Sequence, residues 1–190
     1  GNEGEIEAVF NNLSDSWGGI DFVVHAVAYA DRDELRGRYV DTSRSNLTTS
    51  LMISCYSFTS VARRAAALAN DGASLLTFTF VGARRVVPSY NVMGVAKAAL
   101  ENSVKQLAAE FGPSNIRVNA ISAGPLDTLS SRVITGYRDM KRIYQERAPM
   151  ARNITHEDVG GTALYLASEL SSGVTGAIIP VDVGYSIMGL

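Results

Sequence analysis

Tyr90 and Lys97 stand seven positions apart in the stretch VPSYNVMGVAKAALE, a phenol and an ammonium in a segment that is otherwise apolar and rich in alanine. Apolar residues recur there at three- and four-residue intervals, which predicts a helix over 90–111. Seven residues make almost two full turns, so both side chains share one face, about 10 Å apart along the axis. A long lysine leaning toward the helix N-terminus brings its head back toward the phenol, and the two can meet over one ligand. The chemistry that uses such a pair is proton donation to, or stabilisation of, a carbonyl oxygen that gains charge. A free phenol has a pKa near ~10, and a nearby ammonium favours the phenolate and brings its titration closer to neutrality. Lysine can also hold a ribose hydroxyl. The pair taken alone has a plainer reading, a tyrosine that starts a helix after Pro88 and a lysine that snorkels to water.

Positioning such a pair needs a rigid frame. Four β-branched runs read as strands, over 20–28, 73–82, 116–124 and 177–184. Their nearly unbroken apolar character is what a sheet covered on both faces requires. Helical periodicity fills 46–70, 90–111 and 156–170. The last of these opens with a capping-box pattern, Thr155 followed by Asp158, and the middle one ends at Gly112, read as a left-handed stop with Pro113 beyond it. Strand then helix, repeated, predicts an α/β fold with a doubly wound parallel sheet. Ligands bind such sheets at the carboxyl ends of the strands, so the site should be built from HAVAYA, TFTFVGARR and SAGPLDT, with VDVGYS closing one side. Residues 129–150 read as a helical insertion or loop beside the site.

Composition narrows the partners. At 190 residues the chain fits one domain. Its 17 Lys and Arg nearly balance 19 Asp and Glu, and no basic stripe is interleaved with aromatics, which argues against nucleic acid. Cys55 is the only cysteine, so there is no disulfide framework and no Cys/His metal spacing; its neighbours suggest a buried, inert thiol. No apolar run approaches the ~18–20 residues of a membrane span. These features lead to the expectation of a soluble, cytoplasmic protein without membrane or metal.

On the Tyr-x6-Lys pair and the segments around it, the sequence resembles the short-chain dehydrogenase/reductase family. It resembles more closely that family's divergent branch, the NADH-dependent enoyl-acyl-carrier-protein reductases. Most of the wider family spaces the pair as Tyr-x3-Lys, but position 94 here is glycine. YNVMGVAKAALE, IRVNAISAGPLDTL, ITHEDVGGTALYLASELSSGVTG and DFVVHAVAYADRDELRGRYVD all look like that branch, and the likeness covers essentially the whole chain. The resemblance implies a Rossmann-like sheet, with residues 1–190 forming the C-terminal two-thirds or so of a single domain. It implies hydride transfer from NADH to the β-carbon of a trans-2-enoyl thioester of acyl carrier protein or CoA, with Tyr90 hydrogen-bonding the enolate oxygen and Lys97 holding the nicotinamide ribose. Gly124, Pro125, Leu126 and Thr128 would run along the cofactor, although a plain turn also accounts for Gly124 and Pro125. Val27 and Ala28 would lie against the cofactor and Ala30 near the substrate thioester. Residues 129–150 would form the substrate-binding loop and helix. A homotetramer assembled through the 46–70 and 90–111 helices is implied as well.

The sequence also departs from the pattern. No GxGxxG-like loop occurs in the 190 residues, so the sheet is expected to be incomplete at its N-terminus, the chain to be a fragment, and its first strand to present an open apolar edge. Phe80 stands where many relatives place a second catalytic tyrosine, Ala28 where a glycine is common, and Val183 where the residue is usually small. Two alternatives follow from these departures: a carbonyl-reducing or hydroxy-oxidising enzyme on the same fold, with Thr79 in place of a catalytic serine, or a catalytically silent subunit or truncated paralogue. His25 reads as a packed, hydrogen-bonded histidine, Tyr56 and Phe58 as helix packing, and Arg84 with Arg85 as a solvated surface pair.

Overall fold

In the computed structural model, which describes residues 2–128, 131 and 136–189, four parallel strands form one sheet in the order β1-β2-β3-β4. They are β1 (Ile20–His25), β2 (Ala69–Thr79), β3 (Arg117–Ala123) and β4 (Ile178–Val181). Successive residues of a strand point to opposite faces, and both faces at the centre of the sheet are covered. Leu75, Val118 and Ala120 pack beneath α3 (Ser57–Leu68) and α4 (Asn91–Phe111), against Phe58, Leu100 and Val104. Leu76 and Ile121 pack on the other side against Leu166 of α6 (His156–Ala167). This is the doubly wound layering that the strand–helix alternation predicts. Among the described residues no helix is long and apolar enough to cross a membrane, and no cluster of His, Cys, Asp and Glu could hold a metal ion.

The edge of the sheet behaves as expected. Among the described residues β1 has a partner only in β2, and while Val23 pairs with Leu75 on the covered face, Phe22 and Val24 leave 56% and 46% of their surface exposed on the other. β2 begins four residues before the apolar run does. Gly72, at φ 77°, lets the chain loop out, so that Ile20 pairs with Ala69 but Phe22 already pairs with Ser74.

Three helix expectations need correction. The 46–70 segment is not one helix. It is α2 (Arg44–Leu51), a π-helical turn over Met52–Tyr56, and α3. The extra residue per turn buries Ser54 and Cys55 together. Gly112 is not the left-handed stop of α4; it stays right-handed at φ −51°, and Asn115 takes the left-handed position at φ 55°. The third helix ends at Ala167, where Arg117, the first residue of β3, donates to the carbonyls of Leu166 and Ser168. Elsewhere local chemistry matches. Asn2 caps α1 (Glu3–Trp17), and Thr155 with Asp158 forms a reciprocal capping box.

Candidate active site

Three strand ends converge on one cavity of about 650 Å³. Ala26, Val27 and Ala28 follow β1, Phe78, Thr79 and Phe80 end β2, and Ala123 to Leu126 with Thr128 end β3. Tyr90 and Lys97 close it from α4, and Tyr137 and Met140 from α5 (Tyr137–Arg147). The fourth strand end does not line it. Val183 packs instead with Ala148, Ile154 and Val159, under Leu126 and Phe78.

Tyr90 is the residue before α4, at φ −100°, and is 9% exposed. Its ring meets Phe80 edge-on, with centroids 5.0 Å apart and planes at 65°. Gly82 lies beneath that ring; a β-carbon there would fall 2.5 Å from Tyr90 Cδ1. Burial raises the phenol well above its ordinary value. This shift runs opposite to the one expected from Lys97. Desolvation is the cause, and it favours the neutral phenol, which is a hydrogen-bond donor.

Lys97 is 7% exposed, and its Nζ donates to the carbonyl oxygen of Phe78 at 2.7 Å. Burial pushes the ammonium down to about 8. Among the described residues no carboxylate pairs with it, so two of its three N–H groups remain for a ligand. His25 lies close by as a satisfied core residue. Its Nδ1 is 3.1 Å from Thr77 Oγ1 and its Nε2 2.9 Å from Ser57 Oγ. Burial, together with the charge of Lys97, pushes it down to about 4, so it is neutral at physiological pH.

Several side chains take roles other than those the sequence suggested. Arg84 and Arg85 are not a free solvated pair. Arg84 Nε donates to Glu101 Oε2 at 2.9 Å, while Arg85 donates to the carbonyls of Ser186 and Met188. The other oxygen of Glu101 accepts from Thr79 Oγ1 at 3.0 Å, so that hydroxyl is already engaged. Gly124 reaches the cavity, but its missing side chain serves internal packing, since a β-carbon there would press on Tyr144 at 3.1 Å. Phe58 is fully buried as expected, whereas Tyr56 is substantially exposed.

Of the residues singled out in the sequence, Val27, Ala28, Phe80, Tyr90, Lys97, Gly124, Pro125, Leu126 and Thr128 line the cavity together, and Ala30 does not. Sequence reasoning named the 129–150 segment without its contacts. Ser131, together with Tyr137 and Met140, three apart on one helix face, is the wall it supplies, while 129–130 and 132–135 lie outside the described residues. The spacing of Tyr137, Met140 and Tyr144 along one face of a helix rich in charge was the available signal. The arrangement offers a neutral phenol and a buried cation to one ligand between small and aromatic walls, which suits a carbonyl oxygen that gains charge.

Residues 1–186 match a family model described as enoyl-(acyl carrier protein) reductase. The chain is 55% identical over 184 residues to "Enoyl-[acyl-carrier-protein] reductase [NADH] FabI" of Rickettsia typhi, an alignment covering 97% of this chain and 70% of that relative. Among solved structures it is similar to the enoyl-acyl-carrier-protein reductase of Anaplasma phagocytophilum in complex with NAD, with a TM-score of 0.94 at 49% identity over all of this chain and 70% of that one. It is also similar to the Bacillus cereus enoyl-acyl carrier protein reductase with NADP+ and indole naphthyridinone, with a TM-score of 0.98 at 49% identity over all of this chain and 74% of that one.

Proposed function

The chain belongs to the enoyl-(acyl carrier protein) reductase family, and from that premise we infer that it reduces trans-2-enoyl thioesters of acyl carrier protein with NADH in fatty acid synthesis. The observation that supports this reading most directly is the Tyr-x6-Lys pair on the wall of a cavity built from three strand ends. The residues fit a nicotinamide dinucleotide. The cavity is large, Ala26 and Ala28 keep its β1-side wall low, and Lys97 presents N–H groups with no protein partner among the described residues. When bound, NADH supplies the hydride that adds to the β-carbon.

The chain's own residues do the rest. Tyr90, kept neutral by burial, donates a hydrogen bond to the thioester oxygen as it becomes an enolate oxygen, in a site where little water competes. Lys97 would hold the ribose hydroxyls with its remaining N–H groups and add positive charge to the site where the anion develops. Phe80 offers no second donor; its ring orients Tyr90 by the edge contact. Val27, Ala28, Pro125, Leu126 and Thr128 shape the dinucleotide track, and Tyr137 and Met140 face the acyl chain; Ala30, expected near the thioester, stands outside the cavity lining. The engaged hydroxyl of Thr79 weighs against the carbonyl-reducing alternative, because it is not available as a catalytic serine would be. A homotetramer through the 46–70 and 90–111 segments, where Met52, Tyr56 and Val95 are exposed, is part of the same reading.

The test is a panel of thioesters with the natural full-length protein, following NADH absorbance. Crotonyl thioester should be reduced and acetoacetyl thioester should not. Turnover of acetoacetyl in preference to crotonyl would overturn the reading.

A further inference from the structure

Tyr90 sits between two residues with left-handed backbone, Ser89 at φ 62° and Asn91 at φ 38°. Such a conformation costs on the order of 1 kcal/mol per residue outside glycine and persists only where surrounding contacts determine it. Here the contacts belong to Asn91. Its Nδ2 donates to the carbonyl of Gly37 at 2.8 Å and of Leu35 at 3.0 Å, with that of Glu34 at 3.4 Å. These carbonyls lie at the end of the 3-10 turn Glu34–Arg36, where a helical turn leaves its acceptors without internal donors.

The turn belongs to the connection that leaves the cavity wall at Ala28. Helix side chains hold it at each step: Ser54 Oγ accepts from Tyr29 N and donates to Tyr29 O, Asn46 Oδ1 accepts from Asp31 N, and the Glu34 carboxylate accepts from Ser43 and Asn46. Asn91 joins this strapped loop to the start of α4.

We propose that Asn91 is a positioning residue for the reaction: its amide clamps the 34–37 turn to the start of α4 and so fixes the Tyr90 phenol and the opposite, β1-side wall of the cavity as one unit. The proposal rests on the enoyl-thioester reduction inferred above and adds to it a residue that touches neither substrate nor cofactor. A displacement of about 1 Å at a reacting group can cost on the order of a hundredfold in rate, which is what loss of the clamp puts at stake.

Two variants separate the clamp from the backbone strain. Asn91→Gly keeps the left-handed conformation without the amide; Asn91→Asp keeps the shape but turns a carboxylate toward three carbonyls. In the natural full-length protein, with crotonyl thioester and NADH, both should lose about tenfold or more in kcat with NADH affinity changed less than about threefold. A carboxyl facing carbonyl oxygens protonates readily and then donates, so the kcat of Asn91→Asp relative to wild type should rise as pH falls from about 8 to about 5.5. The Asn91→Gly ratio should stay flat. An active wild type with Asn91→Gly within about twofold of its kcat overturns the proposal, as does loss of activity that merely tracks a lowered Tm with no recovery of Asn91→Asp in acid. A wild type that does not oxidise NADH with enoyl thioester overturns the functional reading, and the clamp's catalytic role with it.

Discussion

A β-carbon added to Gly94 would stand 2.8 Å from the carbonyl oxygen of Gly82, so the turn after β2 and the start of α4 meet backbone against backbone. No side chain fits at position 94, which closes the Tyr-x3-Lys arrangement in this chain and leaves Lys97, one turn further on, as the cation that reaches the cavity. The same contact seats Gly82 under the Tyr90 ring. Gly82→Ala is expected to displace that ring, lowering kcat about tenfold or more and stability by about 1–3 kcal/mol. Steady-state kinetics and urea unfolding of the variant check both.

The buried ammonium of Lys97 is a cost to the fold. Its pKa is pushed from 10.5 down to about 8, so between those values the unfolded chain holds a proton that the folded chain has released, and stability rises with pH across that window. Below about pH 8 the fold carries the buried charge in full. Lys97→Met should therefore melt above wild type at pH 7, with an advantage that shrinks toward zero near pH 10.5, while NADH binding is lost. Thermal melts over that range check it; an advantage that grows with pH would contradict it.

Val183 occupies a left-handed position, φ 55°, with a β-branched side chain that is nonetheless 8% exposed and packed. Strain of about 1–2 kcal/mol opposes a burial gain of about 1.5–3 kcal/mol. Val183→Gly should therefore change stability by only about 1 kcal/mol, whereas Val104→Ala, in the fully buried core, should cost about 2 kcal/mol or more. Denaturant midpoints of the two variants decide the comparison.

The strands were legible because a sheet buried on both faces writes itself as unbroken apolar runs, and the site was legible because those runs end in small and polar residues. What escaped depends on partners distant in sequence. Arg84 looked solvated because Glu101, its acceptor, lies a helix away. The π turn hides in a periodic segment because its register answers to Ser54 holding Tyr29, not to local propensity. Asn91 looked like an ordinary helix residue beside Tyr90, and only the carbonyls of 34, 35 and 37 give it a task. The burial of Tyr90 was not legible either, because spacing places a neighbouring charge but says nothing of how dry the phenol is.

Single-turnover and steady-state rates of Tyr90→Phe against wild type, with crotonyl thioester in the natural full-length protein, test the central claim most directly. A neutral phenol that stabilises the enolate oxygen requires kcat to fall by about a hundredfold or more while the Kd for NADH stays within about threefold. A variant that keeps kcat within about threefold, or that loses NADH affinity in step with its rate, would contradict the assignment of Tyr90.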